Sequence, residues 1–430
     1  MSICQEQTNI YSIDTVNYNQ NKIKTKTYSK SCVTYTILNY DKDLLCHDDY
    51  NNGYYRSLIV SSPENKILAF SPQKSLKNET FIEKYSTINE TIYMNEIIEG
   101  TMVNLFFDER VGQWEISTRG AVGGSYFYYR NQYELDSDRK NQTSFYQMFL
   151  QAFSMEHVQT LGQISLLEEL PKNYSYSFVL QHPDNHIVLP ITKCSIYMVA
   201  VYEVMDGSNV KYISPLEYEN WDLFKNNTHP ILFPKQFQYA SYDEAKTENC
   251  SIQTDFTNLG VMVTNLETGV RTGLKNPRYE EVKLLRGNNP NLQYQYLCLR
   301  KTEKIKDFLF YFPQYKTIFY RFYQEYENFV TNVHYSYLSY YVQKQNVKIS
   351  KKYSPHIYKI HHEMYLPALN TEEPLIIKRR VVKEYFEKLE PREMIYHLNY
   401  DRRQYAKGKQ EVKELQEVNN VKDDLVLNIE

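Results

Sequence analysis

Ile98-Glu-Gly-Thr-Met-Val-Asn-Leu-Phe-Phe-Asp108, followed by Trp114-Glu-Ile-Ser-Thr-Arg-Gly-Ala-Val-Gly-Gly124, decides how this chain is read. Thr101–Asp108 and Trp114–Thr118 are two short runs rich in β-branched and aromatic residues. Glu109-Arg-Val-Gly112 separates them, with the glycine that a tight turn favours, so the stretch predicts a β-hairpin. A second hairpin is predicted upstream, where Ser57–Val60 and Lys66–Phe70 flank Pro63-Glu-Asn65. Downstream, Tyr176–Leu180 and Cys194–Val204 read as strands on either side of a turn at His182-Pro-Asp-Asn185. Leu259–Asn265 and Val270–Leu274 follow as further strands. Apolar residues at 145, 149, 153, 158, 161 and 164 predict a helix across Thr143–Leu170. Another helix is predicted around Pro215–Phe224.

After about residue 300 the period changes. Ile318, Phe322, Tyr326, Phe329, Val333, Tyr337 and Tyr340 recur at three and four, the signature of one long amphipathic helix. More helices are predicted near His356–Tyr365 and Pro374–Leu389. The expected layout is a loose start at 1–20, an α+β domain over 21–300, an all-helical domain over 301–406 and a charged tail over 407–430. At 430 residues the chain has room for two or three domains and a sizeable core.

Composition narrows the function classes. The net charge of −3 gives no global basic field, so any polyanion must be met by a local groove. With a mean hydropathy of −0.61 and no long apolar run, a bundle of membrane spans is excluded. The first residues show no charged-then-apolar leader, and the expectation is an intracellular, cytoplasmic protein without a membrane partner. Cys4, Cys32, Cys46, Cys194, Cys250 and Cys298 form no Cys-x-x-Cys pair and suggest reduced thiols rather than a disulfide scaffold. The 42 tyrosines suit base stacking, but Asn, Ile and Lys are abundant too, and AT-rich coding explains all four.

The ordered set of short motifs resembles the phage RNA ligase 1 family, in a divergent branch found in large DNA viruses. Glu99-Gly100-Thr101 resembles the family's first nucleotidyltransferase motif. Trp114–Gly124, with Arg119-Gly120, is similar to the third. Phe178-Val-Leu-Gln-His-Pro-Asp-Asn-His-Ile-Val188 resembles its Phe-Glu-Phe…Pro-x-Asn-Arg-Ile-Val stretch. Gly260-Val-Met-Val263 and Thr272-Gly-Leu-Lys275 take the places of the fourth and fifth motifs, and Arg56 stands where the family keeps a phosphate-contacting arginine. The match runs in order over roughly residues 50–300. It implies a nucleotidyltransferase domain of ATP-grasp-like antiparallel sheets, ATP and Mg²⁺ as cofactors if activity is retained, RNA as partner and a virus-encoded origin.

Such ligases need a lysine of lowered pKa to attack the α-phosphate of ATP, and carboxylates and further lysines around the phosphates. Here the nucleophile position is Ile97, which cannot form the adduct. The expected glutamates fall on Val179 and Leu259, and the first lysine of the fifth motif on Gly273. The resemblance leaves Arg56, Glu99, Gly100, Arg119 and Lys275 as nucleotide- or phosphate-binding remnants. Glu99 could bind a cation or ribose, or be a strand-end surface residue. Gly100 and Gly260 serve backbone geometry on either reading. Arg278, Lys283 and Arg286, in the helix expected after the fifth motif, could meet a phosphate backbone or belong to a linker. Lys378-Arg-Arg380 with Lys383 is a solvated face or a second polyanion contact. No metal site is expected at His361-His362-Glu363 with His356, because neighbouring helical side chains diverge, or at Cys46-His47-Asp48-Asp49, which lacks partners at metal-ligand spacing.

The reading that follows is a nucleic-acid-binding pseudoligase. The alternatives are an active ATP-dependent RNA ligase, for which Lys84 and Lys275 are the lysines to consider, and a structural or virion-associated scaffold with protein partners on the helical domain.

Overall fold

The computed structural model describes residues 9–30, 32–45, 50–126, 143–153, 158–185, 187–225, 229–287, 289, 291–369 and 375–408. The stretch Cys46-His47-Asp48-Asp49, where no metal site is expected, and the tail beyond 408 lie outside them. The fold is α+β: antiparallel sheets occupy the first part and helices the second. The chain divides after Arg286 into two compact units. That is earlier than the expected boundary near 300, because Leu292–Lys301 packs with the long helix and with Pro391–Leu398.

In the first unit the expected hairpin forms at Thr101–Asp108 and Gln113–Thr118, with Leu105 facing Ile116. It continues into an eight-stranded sheet. The order from one edge is Ile10–Ser12, Asn209–Ile213, Ser195–Val204, Tyr174–Gln181, Thr101–Asp108, Gln113–Thr118 and Ala121–Val122, with Ile231–Leu232 added parallel to Ser195–Val204. One face packs on Phe145–Phe153 through Phe149, Phe153 and Phe178. A four-stranded sheet, Ile23–Lys30, Val33–Tyr40, Arg56–Ser62 and Ile67–Ala69, covers part of the other face, burying Leu38, Val60 and Phe70 against Tyr202 and Tyr212. A third sheet, of Gln236–Phe237, Ile92–Glu96, Gly260–Asn265 and Arg271–Lys275, is backed by Phe81 and Tyr242.

The helix predicted across Thr143–Leu170 is instead Phe145–Phe153, a 3-10 turn at Leu161–Gln163 and a short helix Ser165–Glu169. Thr160 and Gln163 form a capping box there, and a cap starts an element rather than continuing one. Likewise Pro215–Phe224 resolves into Pro215–Tyr218, capped by Ser214, and Asp222–Lys225.

The second unit is built on Lys316–Tyr337, whose stripe of Phe319, Phe322, Tyr326, Phe329, Val330, Val333 and Tyr337 is buried. It extends into a π-turn at Leu338–Val342. Arg379–Lys388 and Ser354–Lys359 pack on it through Phe386, His356 and Phe329.

A candidate phosphate-binding site

Residues 97–100 cross from the third sheet to the large one. Ile92–Glu96 pairs with Gly260–Asn265, and Thr101–Asp108 pairs with Tyr174–Gln181. The crossing brings the motif positions together. The Ile97 amide donates to the Gly260 carbonyl at 3.2 Å, and Gly260 faces Lys275 across the next strand pair. Gly260 has φ +111°, and a Cβ there would lie 2.0 Å from the Leu274 oxygen. At Gly100 a Cβ would lie 2.5 Å from the Leu180 oxygen and 2.7 Å from Val179 Cγ1. Both glycines are therefore demanded by close backbone approach.

Ile97 is half-buried, and its Cδ1 lies 3.5 Å from the point where Gly273 would carry a Cβ. Val179 and Leu259 are buried. Apolar side chains thus fill the places where the resemblance puts a lysine and two carboxylates.

Glu99 is also buried, with 3% of its surface exposed, which excludes the surface reading. Its Oε1 accepts from the amides of Ile187, Val188 and Leu189 at 3.0–3.1 Å. Oε2 accepts from the Val188 amide at 3.1 Å and the Tyr279 hydroxyl at 2.8 Å. A carboxylate offers about four lone-pair directions, so Glu99 is saturated by the protein itself. The same loop is anchored by Asn185 Nδ2 on Thr101 Oγ1, at 2.7 Å, and by Gln181 Nε2 on the Glu99 carbonyl, at 2.9 Å. The residues around Glu99 do not fit a Mg²⁺ ion. Among the described residues no group of three or more His, Cys, Asp or Glu is placed to hold a metal.

The cationic part of the site lies where the three sheets meet. Asn39 Nδ2 donates to the Arg119 carbonyl at 2.9 Å, and Asn39 Oδ1 accepts from the Ser57 amide at 3.0 Å. Asn39 pairs with Arg56 across a bulge in the register, and Ser57 takes φ +61°. A bulge re-aims the side chain beside it, and a left-handed non-glycine residue costs on the order of 1 kcal/mol. Strain is therefore placed next to Arg56. The Arg119 guanidinium lies 5.2 Å from the centre of the Tyr40 ring.

Arg271, which the sequence reading did not single out, starts the last strand of the third sheet. Ser71 Oγ is bonded to the Arg56 carbonyl, and the Leu76 amide to the Arg271 carbonyl, so the segment between them spans the two arginines. That segment carries Gln73, a buried residue whose Nε2 has no partner among the described residues. Arg271 Nε is also buried and unpartnered there.

Burial pushes Arg56 below the ordinary arginine range, and the Arg119 charge adds to the shift. Burial, then the Arg56 charge, pushes Arg271 down to about 10. All three arginines keep part of their surface open. No carboxylate among the described residues forms an ion pair with any of them. Tyr40, Tyr202 and Tyr212 are the neighbours acting against the shift. Like charges held together without a counter-charge cost free energy until an anion arrives.

The remaining candidates are placed otherwise. Lys275 is exposed and pairs with Glu280 at 3.6 Å, as does Lys283 at 3.5 Å. Arg286 is 1% exposed, so Arg278, Lys283 and Arg286 do not form one open basic face. Lys84 ends the helix Asn78–Lys84, its Nζ over the Tyr85 ring. Arg379 and Lys383 pair with Glu327, and Arg380 with Glu384. His356 is buried against His397, and His361 stacks on Tyr341 at 3.7 Å. Outside the buried stripe, Tyr320 and Tyr323 are exposed beside a cavity of about 1060 Å³ within the helical unit, whose lining includes Lys306 and Lys316.

No family model matches the chain, and no curated protein matches it. Solved structures of an RNA ligase from Naegleria gruberi are similar in part. A mutant of that ligase with ATP and Mn superposes with a TM-score of 0.35 at 10% identity, covering 50% of this chain. The ligase with pyrophosphate gives 0.34 at 10% and 49%. In both, the match spans 57% of that ligase's own chain.

Proposed function

We propose that this protein binds nucleic acid through phosphate contacts at Arg56, Arg119 and Arg271 and does not transfer an adenylyl group. The observation that carries this reading is three guanidinium groups gathered without a carboxylate partner among the described residues. Guanidinium groups are the side chains best matched to phosphate oxygens, and an uncompensated cluster of them favours a polyanion. Ile97 and the saturated Glu99 support the second half of the proposal, since neither supplies a nucleophile nor a free carboxylate. RNA is the proposed nucleic acid on the motif resemblance. A viral origin and protein partners on the helical unit belong to the same proposal.

The test pairs two assays on the full chain. Incubation with Mg²⁺ and α-labelled ATP, followed by denaturing electrophoresis, gives no labelled band, while a mobility-shift assay detects RNA binding. A labelled band, mapped to Lys84, Lys275 or any other lysine, overturns the reading in favour of an active ligase. Absence of RNA binding by folded protein overturns it in favour of the scaffold.

A further inference from the structure

Independently of the nucleic-acid reading, we infer that the cavity of the helical unit binds a long-chain carboxylate, with the chain inside and the charge at the mouth. The cavity, of about 1060 Å³, is bounded by Leu292–Lys301, Ile305–Tyr311, the first turns of Lys316–Tyr337 and the segment from Phe386 to Met394. That volume is about the upper limit of pockets that take one small molecule. Leu297, Phe319 and Met394 in the lining are buried, and Ile305 and Leu309 are half-buried. Lys306 and Lys316 are exposed. The lining thus grades from an apolar floor to a cationic mouth.

The ion pairs show where an anionic group would sit. Deep in the lining, Arg300 is compensated: its Nη2 lies 3.3 Å from Glu387 Oε1, and its Cζ lies 3.9 Å from the centre of the Tyr326 ring. Lys301 Nζ lies 2.6 Å from Glu390 Oε1. Lys306 and Lys316, in contrast, form no ion pair among the described residues. The helix Lys316–Tyr337 also opens at this mouth without a side-chain cap or an acidic residue in its first turn, so the positive end of its dipole is unmet. With the paired groups set aside, two ammonium groups and the Glu303 carboxylate leave one net positive charge in the lining.

One net charge over an apolar floor fits a single anionic head on an apolar body. A nucleic-acid strand brings a charge with every nucleotide, and its base edges need hydrogen-bond partners that such a floor does not offer. Tyr320 and Tyr323 are exposed beside the mouth, but they stack on each other with centroids 6.2 Å apart, so their facing surfaces are already used. A saturated chain carries no group that needs a partner and gains with every methylene it buries.

Isothermal titration of the full chain with laurate below its micelle concentration tests the inference, with octanoate and dodecyltrimethylammonium as controls. Laurate is expected to bind. Octanoate, four methylenes shorter, binds at least about tenfold more weakly, and so does dodecyltrimethylammonium, whose chain is the same length but whose charge is reversed. Lys306→Gln combined with Lys316→Gln, both at exposed positions, weakens laurate binding by at least about fivefold without moving the thermal midpoint. Leu309→Glu, which puts a carboxylate into the apolar wall, weakens it by at least about tenfold. Absence of laurate binding overturns the inference. Equal affinity for laurate and dodecyltrimethylammonium shows unselective adsorption and overturns it too, as does unchanged laurate affinity in the double lysine variant. Loss of single-stranded RNA binding in that variant, with no laurate binding by the parent, assigns the mouth to nucleic acid instead.

Discussion

Glu99 and Arg271 show how far single residues can mislead or inform. In sequence, Glu99 reads either as a ligase-like carboxylate for a cation or ribose or as a strand-end surface residue. In the fold it accepts from three successive backbone amides and the Tyr279 hydroxyl. Its job is to hold the 187–189 loop and the helix Pro277–Arg286 to the large sheet. Glu99→Ala leaves several buried donors unmatched, at roughly 1–3 kcal/mol each, so a loss of at least about 3 kcal/mol in urea unfolding is predicted. Tyr279→Phe removes one bond and loses only about 1 kcal/mol. A Glu99→Ala protein as stable as the parent would show that the carboxylate is not a structural staple. Arg271 could not be picked out because a lone arginine before a Thr-Gly turn-like pair reads as a solvated edge residue. The signal available was its position directly before Thr272-Gly-Leu-Lys275. Its partners Arg56 and Arg119 lie far away in sequence, and only the sheet junction brings them near.

At the scale of elements, both predicted hairpins formed because runs of apolar, β-branched and aromatic residues agreed with the turn chemistry between them. Thr101–Asp108 has polar Asn104 inward, where Ser177 Oγ bonds it at 2.9 Å, and the hairpin still closes. The 143–170 segment failed as one helix because apolar spacing continues across the Thr160 cap, and spacing carries no information about where a cap interrupts it. The close strand approach at Gly260 predicts that Gly260→Ala destabilises the third sheet. The methyl group would sit at 2.0 Å from the Leu274 oxygen, and a loss of more than about 2 kcal/mol is expected in chemical denaturation. An unchanged midpoint would contradict that packing. Among the helices, burial first and then His397 push His356 down to about 3. The unfolded chain takes up that proton near pH 6.5, whereas the folded one resists it. Stability contributed by neutral His356 is therefore complete above about pH 6.5 and lost as pH falls toward 3. Thermal unfolding followed from pH 7.5 to 4.5 should show that loss in the parent and a flatter profile in His356→Phe. Equal profiles would remove His356 as the cause.

For the whole molecule, the layout of an α+β unit followed by helices was legible in the change of hydrophobic period, because that period reports directly on which face each element buries. The site was legible only in part. Motif order located Ile97, Glu99, Gly260 and Lys275 near one another, and the fold joins them at the crossing between two sheets. It could not reveal that Lys275 faces outward to Glu280, or that Arg286 is buried, since both depend on packing between distant segments. A chain of net charge −3 that binds RNA must do so through a local cluster. The most direct measurement is the salt dependence of binding to single-stranded RNA, for the parent and for Arg56→Met, Arg119→Ala and Arg271→Met combined. Each lost phosphate contact lowers the logarithmic slope by about 0.7. A slope shallower by about 2 is expected in a folded triple variant, with weaker binding at low salt. An unchanged slope and affinity would place the nucleic-acid contacts elsewhere and contradict it.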